Sequence, residues 1–315
     1  MKKNNLLIIG KIPPPTGGVT IHVSRIIDKL SIEGFDYSFE VLKVTNLLNL
    51  TKSVITHKNI HLHASNPYVH FLFSLFTKIT GKFLIITLHA EFGQHKTKLR
   101  RILELFSLRL STIPIVLNVK SFNLVQKINK NVLLDSAYIK PIYQYSLPKE
   151  LDELLNNNRT NYEKIFCTNA YNRVYDINGN ELYGIDELVE LFEKTNFLLI
   201  VCDPSSVYSQ LYNNKNIKNT YFINYSIDFV SLLIKTDGFI RNTTTDGDSI
   251  SIHEAIFNNV PVFCTSVVDR PEQTILYKNA KIELFKILNS HQKTLDNRDE
   301  YKENKIFNIY KKLNN

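Results

Sequence analysis

Short apolar runs alternate with stretches of helical spacing along this chain, and the alternation happens twice, once on either side of a polar break. The run LLII at residues 6–9 reads as a buried strand; a Pro/Gly-rich loop follows, then apolar residues at helical spacing over 19–30. Further strands are expected at 37–44, 60–63, 83–88 and 113–117, with helices over 68–80 and 98–110. Strands that read as continuous apolar runs between helices are those of a parallel sheet covered on both faces. Pro141, Pro148 and the polar residues 156–160 interrupt the rhythm. It restarts with strands at 164–168, 197–202, 220–223, 238–240 and 260–264, and helices over 184–194, 227–235 and 249–258. The expected fold class is α/β: two Rossmann-like doubly wound domains facing a central cleft. Their expected spans are 1–150 and 151–295, followed by a polar, Lys-rich helical tail at 296–315 that packs back on the first domain. Ligands of open α/β sheets bind at the carboxyl ends of the strands, so the chemistry is expected on the loops there.

Composition narrows the partners. With 315 residues, 43% hydrophobic and 22% charged, the chain has what two cores need and is not disordered as a whole. A net charge of +8 suits anionic partners: phosphorylated small molecules, nucleic acid or a phospholipid face. The basic residues are scattered and form no nucleic-acid motif, so no nucleic-acid partner is expected. Three cysteines without C-x-x-C spacing point to a reducing compartment and away from a zinc cluster. The apolar run at 6–9 is shorter than the roughly 7–15 residues of a secretory signal. No stretch reaches the ~20 apolar residues of a membrane span. A cytoplasmic location is expected, peripheral on the inner face of the cell membrane: residues 96–106 set Lys and Arg beside apolar residues at helical spacing, and 71–83 are Phe-rich. The plainer reading of 96–106 is a solvated basic face over a core helix.

Three segments carry candidate chemistry. The first, Pro13-Pro14-Pro15-Thr16-Gly17-Gly18, lies between a strand and a helix, where glycines allow close backbone approach and helix amides favour anions. It is neither G-x-G-x-x-G nor a P-loop, and a tight strand-to-helix turn explains it equally. The second, Thr87-Leu88-His89-Ala90-Glu91, ends an apolar strand; His89 there could donate to a sugar hydroxyl or carry a proton, or could cap the strand. His61 and His63 read as structural, and His22 as a brace for the glycine loop.

The third segment, residues 241–255, leaves a strand at Arg241, passes a small-residue loop and enters a helix. Asp246 and Glu254 have seven residues between them, so one acid sits on the loop and the other in the first turns of the helix. The amides of Gly247, Asp248 and Ser249 are expected to be free to donate, as helix-start amides lack intrahelical partners. Such a loop suits a nucleotide sugar: amides and helix dipole on the diphosphate, one acid on sugar hydroxyls, the other on ribose hydroxyls. Asp246-Gly247-Asp248 is also formally a D-x-D that could hold a divalent cation, and an Asp/Ser helix cap accounts for part of the pattern.

The segment from Asp246 to Glu272, DGDSISIHEAIFNNVPVFCTSVVDRPE, resembles the signature of retaining glycosyltransferases with the GT-B fold, the large family 4. Asp246 stands where that family usually has Glu; Glu254-Ala255, Pro261-Val262 and Pro271-Glu272 match its later acid, strand entry and Pro-Glu pair. Gly17-Gly18 with His22 is similar to the family's first loop, and Thr87-Leu88-His89 to its substrate-facing histidine. The resemblance implies transfer of a sugar, with retention and without a metal or other cofactor, from a UDP- or GDP-linked donor. The implied acceptor is a hydroxyl of a saccharide or lipid-linked saccharide, in bacterial surface polysaccharide (O-antigen, capsule or lipopolysaccharide) synthesis. It assigns catalysis to His89, Asp246 and Glu254. It assigns donor binding to Gly17, Gly18, Arg173, Arg241, Gly247, Asp248, Ser249, Ile250 and Ser251. The family's phosphate-gripping Arg and Lys are not both present: Tyr183 occupies the place of the Lys, which leaves Arg173 or Arg241 to neutralise the phosphates. That departure and Asp246 also admit a second expectation, a catalytically inactive GT-B-like partner subunit that binds a sugar or a true transferase.

Overall fold

In the computed structural model, residues 6–215, 217–291 and 303–314 are described. The chain forms two compact units, one running to Ile142 and taking in the C-terminal segment, the other starting at Tyr143. The expected tail begins at residue 296; its part up to 302 lies outside the described residues.

The first unit runs β1 (Leu6–Gly10), α1 (Gly18–Ile32), β2 (Tyr37–Val41), α2 (Leu47–Thr56), β3 (Asn59–His63), α3 (Pro67–Ile79), β4 (Phe83–Leu88), α4 (Lys98–Leu110), β5 (Ile113–Val116), α5 (Val119–Val125) and β6 (Leu133–Leu134). All strands pair parallel in the order β2-β1-β3-β4-β5-β6. Every residue of β1 and β3 is buried, as expected of inner strands with helices on both faces. Leu7, Ile9, Ile60, Leu62, Leu84 and Ile86 build the core on one face. Local chemistry starts the helices: Asn66 caps α3 by accepting from the Tyr68 amide, with Pro67 in the first helical turn, and Asn118 caps α5 through Ser121. β2 stops at Val41, three residues short of the expected strand, because the Lys43 amide turns back to the Val41 carbonyl at 2.9 Å.

The second unit runs α6 (Lys149–Asn158), β7 (Lys164–Asn169), α7 (Ile185–Phe192), β8 (Phe197–Cys202), α8 (Val207–Tyr212), β9 (Thr220–Ile223), α9 (Phe229–Leu233), β10 (Gly238–Arg241), α10 (Ile250–Phe257), β11 (Val262–Thr265), β12 (Thr274–Tyr277) and α11 (Phe285–Ser290). Its sheet, again all parallel, has the order β12-β11-β10-β7-β8-β9. Side chains alternate between two cores: Ile165, Cys167, Leu198 and Ile200 on one face, Phe166, Leu199, Val201 and Phe263 on the other. Phe166 meets Phe192, Phe197 and Phe263 edge to face. α9 is shorter than the expected 227–235, since the Asp228 carboxylate caps it by accepting from the Val230 and Ser231 amides.

The last helix, α12 (Lys305–Asn314), belongs to the first unit. Asp135 takes the amides of Lys305 and Ile306, Asn304 donates to the Ser136 carbonyl at 2.8 Å, and Phe307 and Tyr310 are fully buried.

Each sheet has one place where successive strands diverge to opposite sides. In the first unit it falls between β1 and β3, at Gly10 and His63; in the second between β7 and β10, at Asn169 and Arg241. Crevices at the carboxyl ends of such strand pairs are where open α/β sheets bind ligands.

Candidate functional site

At the divergence point of the second sheet, Arg241 leaves the end of β10 and meets the loop that leads into α10. Its Nε lies 3.0 Å from Asp246 Oδ2 and its Nη2 3.0 Å from Oδ1, a two-pronged ion pair. Arg270, beyond β11, donates from Nη1 to the same Asp246 Oδ2 at 2.8 Å, and is tied at its other nitrogens to the Thr265 carbonyl and the Thr243 hydroxyl. The Gly247 amide also donates to Asp246, so it is not free as the sequence pattern predicted. Burial would raise the Asp246 carboxyl, but the two guanidiniums, Arg241 foremost, outweigh it and hold the acid below its ordinary range. Two cations on one carboxylate leave one net positive charge in a site from which water is largely excluded.

Tyr183, at the place expected for a lysine, puts its ring 5.1 Å from the Arg241 guanidinium. Asn169, at the end of β7, accepts from Arg241 Nη1 at 3.2 Å and donates to the Ser251 hydroxyl at 2.6 Å, joining the ion-pair cluster to α10. The conformation beneath depends on Gly184, whose φ of +60° opens α7; a Cβ there would lie 2.4 Å from the Asn242 carbonyl oxygen. Asn242 in turn donates to the Gly184 carbonyl and to Glu187, and accepts from the Tyr277 hydroxyl.

Ser249 stands at the N-cap of α10, yet its side chain makes no cap hydrogen bond. Asp248 closes on His253 instead, one turn into the helix. Ile250 is buried, and Glu254, 4% exposed, is buried in the second turn. The structure therefore gathers Arg241, Asp246, Gly247 and Ser251 into one hydrogen-bonded cluster, with Asp248, Ser249, Ile250 and Glu254 on the adjoining helix start. Arg173 is engaged elsewhere: it pairs with Asp186, which also accepts from the Tyr212 hydroxyl. Sequence reasoning passed over Arg270 and Asn169. The signal for Arg270 was its place directly before Pro271-Glu272; Asn169 offered none beyond ending a strand.

The first unit has its own constellation at the ends of β1, β3 and β4. Gly17 caps α1 in an extended conformation, φ −162°, while Thr20 accepts from the Gly17 amide and donates to the Pro15 carbonyl, pinning the loop. A Cβ on Gly18 would meet nothing within 4 Å, so space over the helix start is open. Behind it lie four histidines. His22 meets the Ala137 carbonyl at 2.7 Å; His63 Nδ1 lies 3.1 Å from His89 Nε2; the His61 and His63 ring centroids are 4.0 Å apart. Burial first, and mutual repulsion second, push His61, His63 and His89 well below the ordinary imidazole value, so the rings are neutral near pH 7. The strand end after His89 is clamped by Glu104, which accepts from the Gly93 amide and meets His95.

Among the described residues, no three His, Cys, Asp or Glu side chains are grouped to hold a metal ion, and no helix is long and apolar enough to cross a membrane.

No protein-family model and no curated protein matches the sequence. Solved structures do match in three dimensions. HepE of Anabaena, solved with UDP, is similar with a TM-score of 0.65 at 12% identity, over 91% of this chain and 89% of that one. Sucrose-phosphate synthase of Thermosynechococcus elongatus gives 0.64 at 13%, over 91% and 90%. WaaG, a glycosyltransferase involved in lipopolysaccharide biosynthesis, gives 0.60 at 16%, over 90% and 89%. Identities this low speak for the fold alone, and together with the two parallel six-stranded sheets they show that the chain has the α/β fold of the GT-B glycosyltransferases.

Proposed function

We propose that the protein is a glycosyltransferase that moves a sugar from a nucleotide donor to a hydroxyl of a saccharide or lipid-linked saccharide, with retention. The observation that carries this is the buried Arg241–Asp246–Arg270 cluster at the divergence point of the second sheet, with one net positive charge. A diphosphate is the ligand such a cluster suits: the planar forks match phosphate oxygens, and Asp246 keeps both guanidiniums in place while cancelling one charge. UDP sugars are the first donors to try, since UDP and UDP-glucose are bound in the HepE structures.

In this mechanism the bond from the sugar's anomeric carbon to the diphosphate breaks as the acceptor oxygen attacks on the same face. The acceptor proton passes to the departing phosphate oxygen, whose growing charge Arg241 and Arg270 stabilise. Glu254 takes donor hydroxyls, and His89 holds the transferred sugar by hydrogen bonding. No metal ion or other cofactor enters. Asp246, already accepting from two arginines and the Gly247 amide, serves as the post to which the arginines are tied.

The acceptor side would lie at a lipid surface. Tyr68, Leu72, Leu75 and Ile79 form one exposed stripe along α3, and Leu99, Ile102 and Phe106 another along α4, which packs against it through Ser74 and Ser107. Lys98, Arg100 and Arg101 are exposed around the second stripe. Apolar side chains edged with cations fit the anionic face of a membrane and a lipid-linked acceptor of surface-polysaccharide synthesis.

Incubation of the purified chain with UDP and GDP sugars, reading release of the nucleotide, tests the reading. The wild type should release nucleotide from at least one donor and Glu254→Gln should release none while melting within about 2 °C of it. Full turnover by Glu254→Gln would overturn the site; tight donor binding with no turnover by the wild type would favour the inactive partner subunit.

A further inference from the structure

β3 is an inner strand, and one of its faces carries His61 and His63, 0% and 1% exposed. An inner strand of a parallel sheet costs least when apolar, and a buried imidazole without partners costs a few kcal/mol. Here the rings are wired into a chain. His61 Nδ1 meets the Tyr310 hydroxyl of α12, and His61 Nε2 lies 2.8 Å from the Thr87 hydroxyl. His61 lies against His63, with ring centroids 4.0 Å apart, and His63 Nδ1 reaches His89 Nε2 at 3.1 Å.

A hydrogen bond between two neutral imidazoles holds one proton, so one nitrogen donates and the other accepts. The other nitrogen of His63, Nε2, is buried without a partner among the described residues. A buried bare acceptor is the more tolerable orphan, and an orphaned N–H the rarer one. His70 shows the same preference in this unit: its Nε2 must donate to the Ala64 carbonyl at 2.9 Å, which leaves the buried Nδ1 bare. The proton between His63 and His89 therefore belongs to His63 Nδ1, and the proton of His89 belongs to its own Nδ1.

We infer that His63, braced by His61 and by the Tyr310 hydroxyl of the C-terminal helix, fixes the proton of His89 on Nδ1 and makes that ring a hydrogen-bond donor to the sugar rather than a base. The inference rests on the transferase reading for its ligand, but the tautomer can be read without turnover. His61, His63 and Tyr310 are positioning residues: they act on the sugar through His89. The C-terminal helix, fastened at its start by Asp135, thereby becomes part of the β4 site.

The full chain labelled with 15N only in histidine is the sample, and ring nitrogen spectra are the readout, with His89→Gln used to assign the His89 signals. The wild type should show His89 in one form, protonated at Nδ1. Tyr310→Phe keeps the ring packed against Phe307 and removes only the hydroxyl. It should shift the His61 signals, bring His89 towards a mixture of forms and lower kcat about tenfold, with donor KM within about twofold. His63→Leu removes the donor to His89 outright and gives a second route should Tyr310→Phe fold poorly. Mixed or Nε2-protonated His89 in the wild type overturns the inference, as do His89 signals that both variants leave unchanged. A wild type with the Nδ1 form in place but no turnover would count against the transferase reading alone.

Discussion

Arg241 and Asp246 face each other in a two-pronged ion pair, with both N–O distances at 3.0 Å, five residues apart across the turn that follows β10. The pair is nearly dry, and Arg270 completes it with a side chain only 2% exposed. Removing the shared carboxylate leaves two buried guanidiniums facing each other. Breaking a buried pair by deleting one partner costs about 3–5 kcal/mol. Asp246→Asn should therefore lose about that much stability in chemical denaturation and melt well below the wild type. A change under about 1 kcal/mol would show that the arginines do not depend on Asp246.

Arg270 separates phosphate binding from structure. Arg270→Lys keeps a cation but loses the fork that reaches Asp246, Thr243 and the Thr265 carbonyl together. Donor or UDP affinity, measured by calorimetry, should fall at least tenfold in this variant, with the same loss for UDP alone as for the intact donor. Unchanged UDP affinity would remove Arg270 from the diphosphate site.

Gly184 is the position where backbone conformation decides most. Its φ of +60° disfavours any side chain, and a Cβ would sit 2.3 Å from the Asn242 side-chain nitrogen and 2.4 Å from its carbonyl oxygen. Neither neighbour can yield cheaply, since Asn242 bridges Glu187 and Tyr277 immediately after β10. Gly184→Ala should cost about 2–4 kcal/mol and weaken donor binding by moving the end of β10. A melting curve that overlays the wild type would refute this.

The fold was largely legible because inner parallel strands leave apolar runs: LLIIG, FLIITL and FLLIVC each lie within one strand. Two of the four edge strands, β6 and β12, were not, whereas the edges β2 and β9 were. β6 is two residues long, and β12, TILY, is half exposed at the sheet margin, so neither has a run to read. α2, LLNLTKSVIT, was not read as a helix although Leu50 and Val54 mark its buried face; the exposed Leu47, Leu48 and Ile55 spread its apolar residues well beyond that face. β3 was legible as a strand and its His61 and His63 as structural, but their wiring was not, because Tyr310 of α12 and Thr87 of β4 reach His61 only in the folded unit. In the site, the spacing of Asp246 and Glu254 was visible in one segment. The second guanidinium was hidden, because Arg270 reaches Asp246 only after β10 and β11 pair side by side.

Acid should unsettle the first unit. The His70 imidazole is pushed down to about 4, by burial above all, and His61, His63 and His89 are pushed the same way. In the unfolded chain each would bind a proton near pH 6.5, so between pH 6.5 and 4 the unfolded state binds more protons and stability falls with pH. His70 alone accounts for about 3 kcal/mol by pH 4. Asp28, Glu104 and Asp135, raised by burial, act in the opposite sense, but three carboxyls do not offset four imidazoles. The melting temperature should drop steadily from pH 7 to 4.5. His70→Gln, which keeps a donor for Ala64, should flatten part of the slope. A profile level across that range would contradict the burial of the four rings as neutral species.

The exposed stripes of α3 and α4 make a prediction about lipid. Leu72 and Ile79 are 64% and 76% exposed on one side of α3, and Leu99 is 55% exposed on α4 beside Lys98, Arg100 and Arg101. Neither feature suffices alone: a few apolar side chains bind a bilayer weakly, and cations near an anionic surface contribute about 1 kcal/mol each. Together they should sediment the chain with vesicles containing anionic lipid, but not with neutral vesicles, at about 0.1 M salt. Raising the salt to about 0.5 M shortens the screening length and should release most of it. Replacing Arg100 and Arg101 by Gln should weaken sedimentation at low salt, and Leu72→Ser with Ile79→Ser should weaken what survives at high salt. Equal binding to neutral and anionic vesicles would mean that the cations take no part, and sedimentation unaltered by the Leu72 and Ile79 changes would mean that α3 does not touch the lipid.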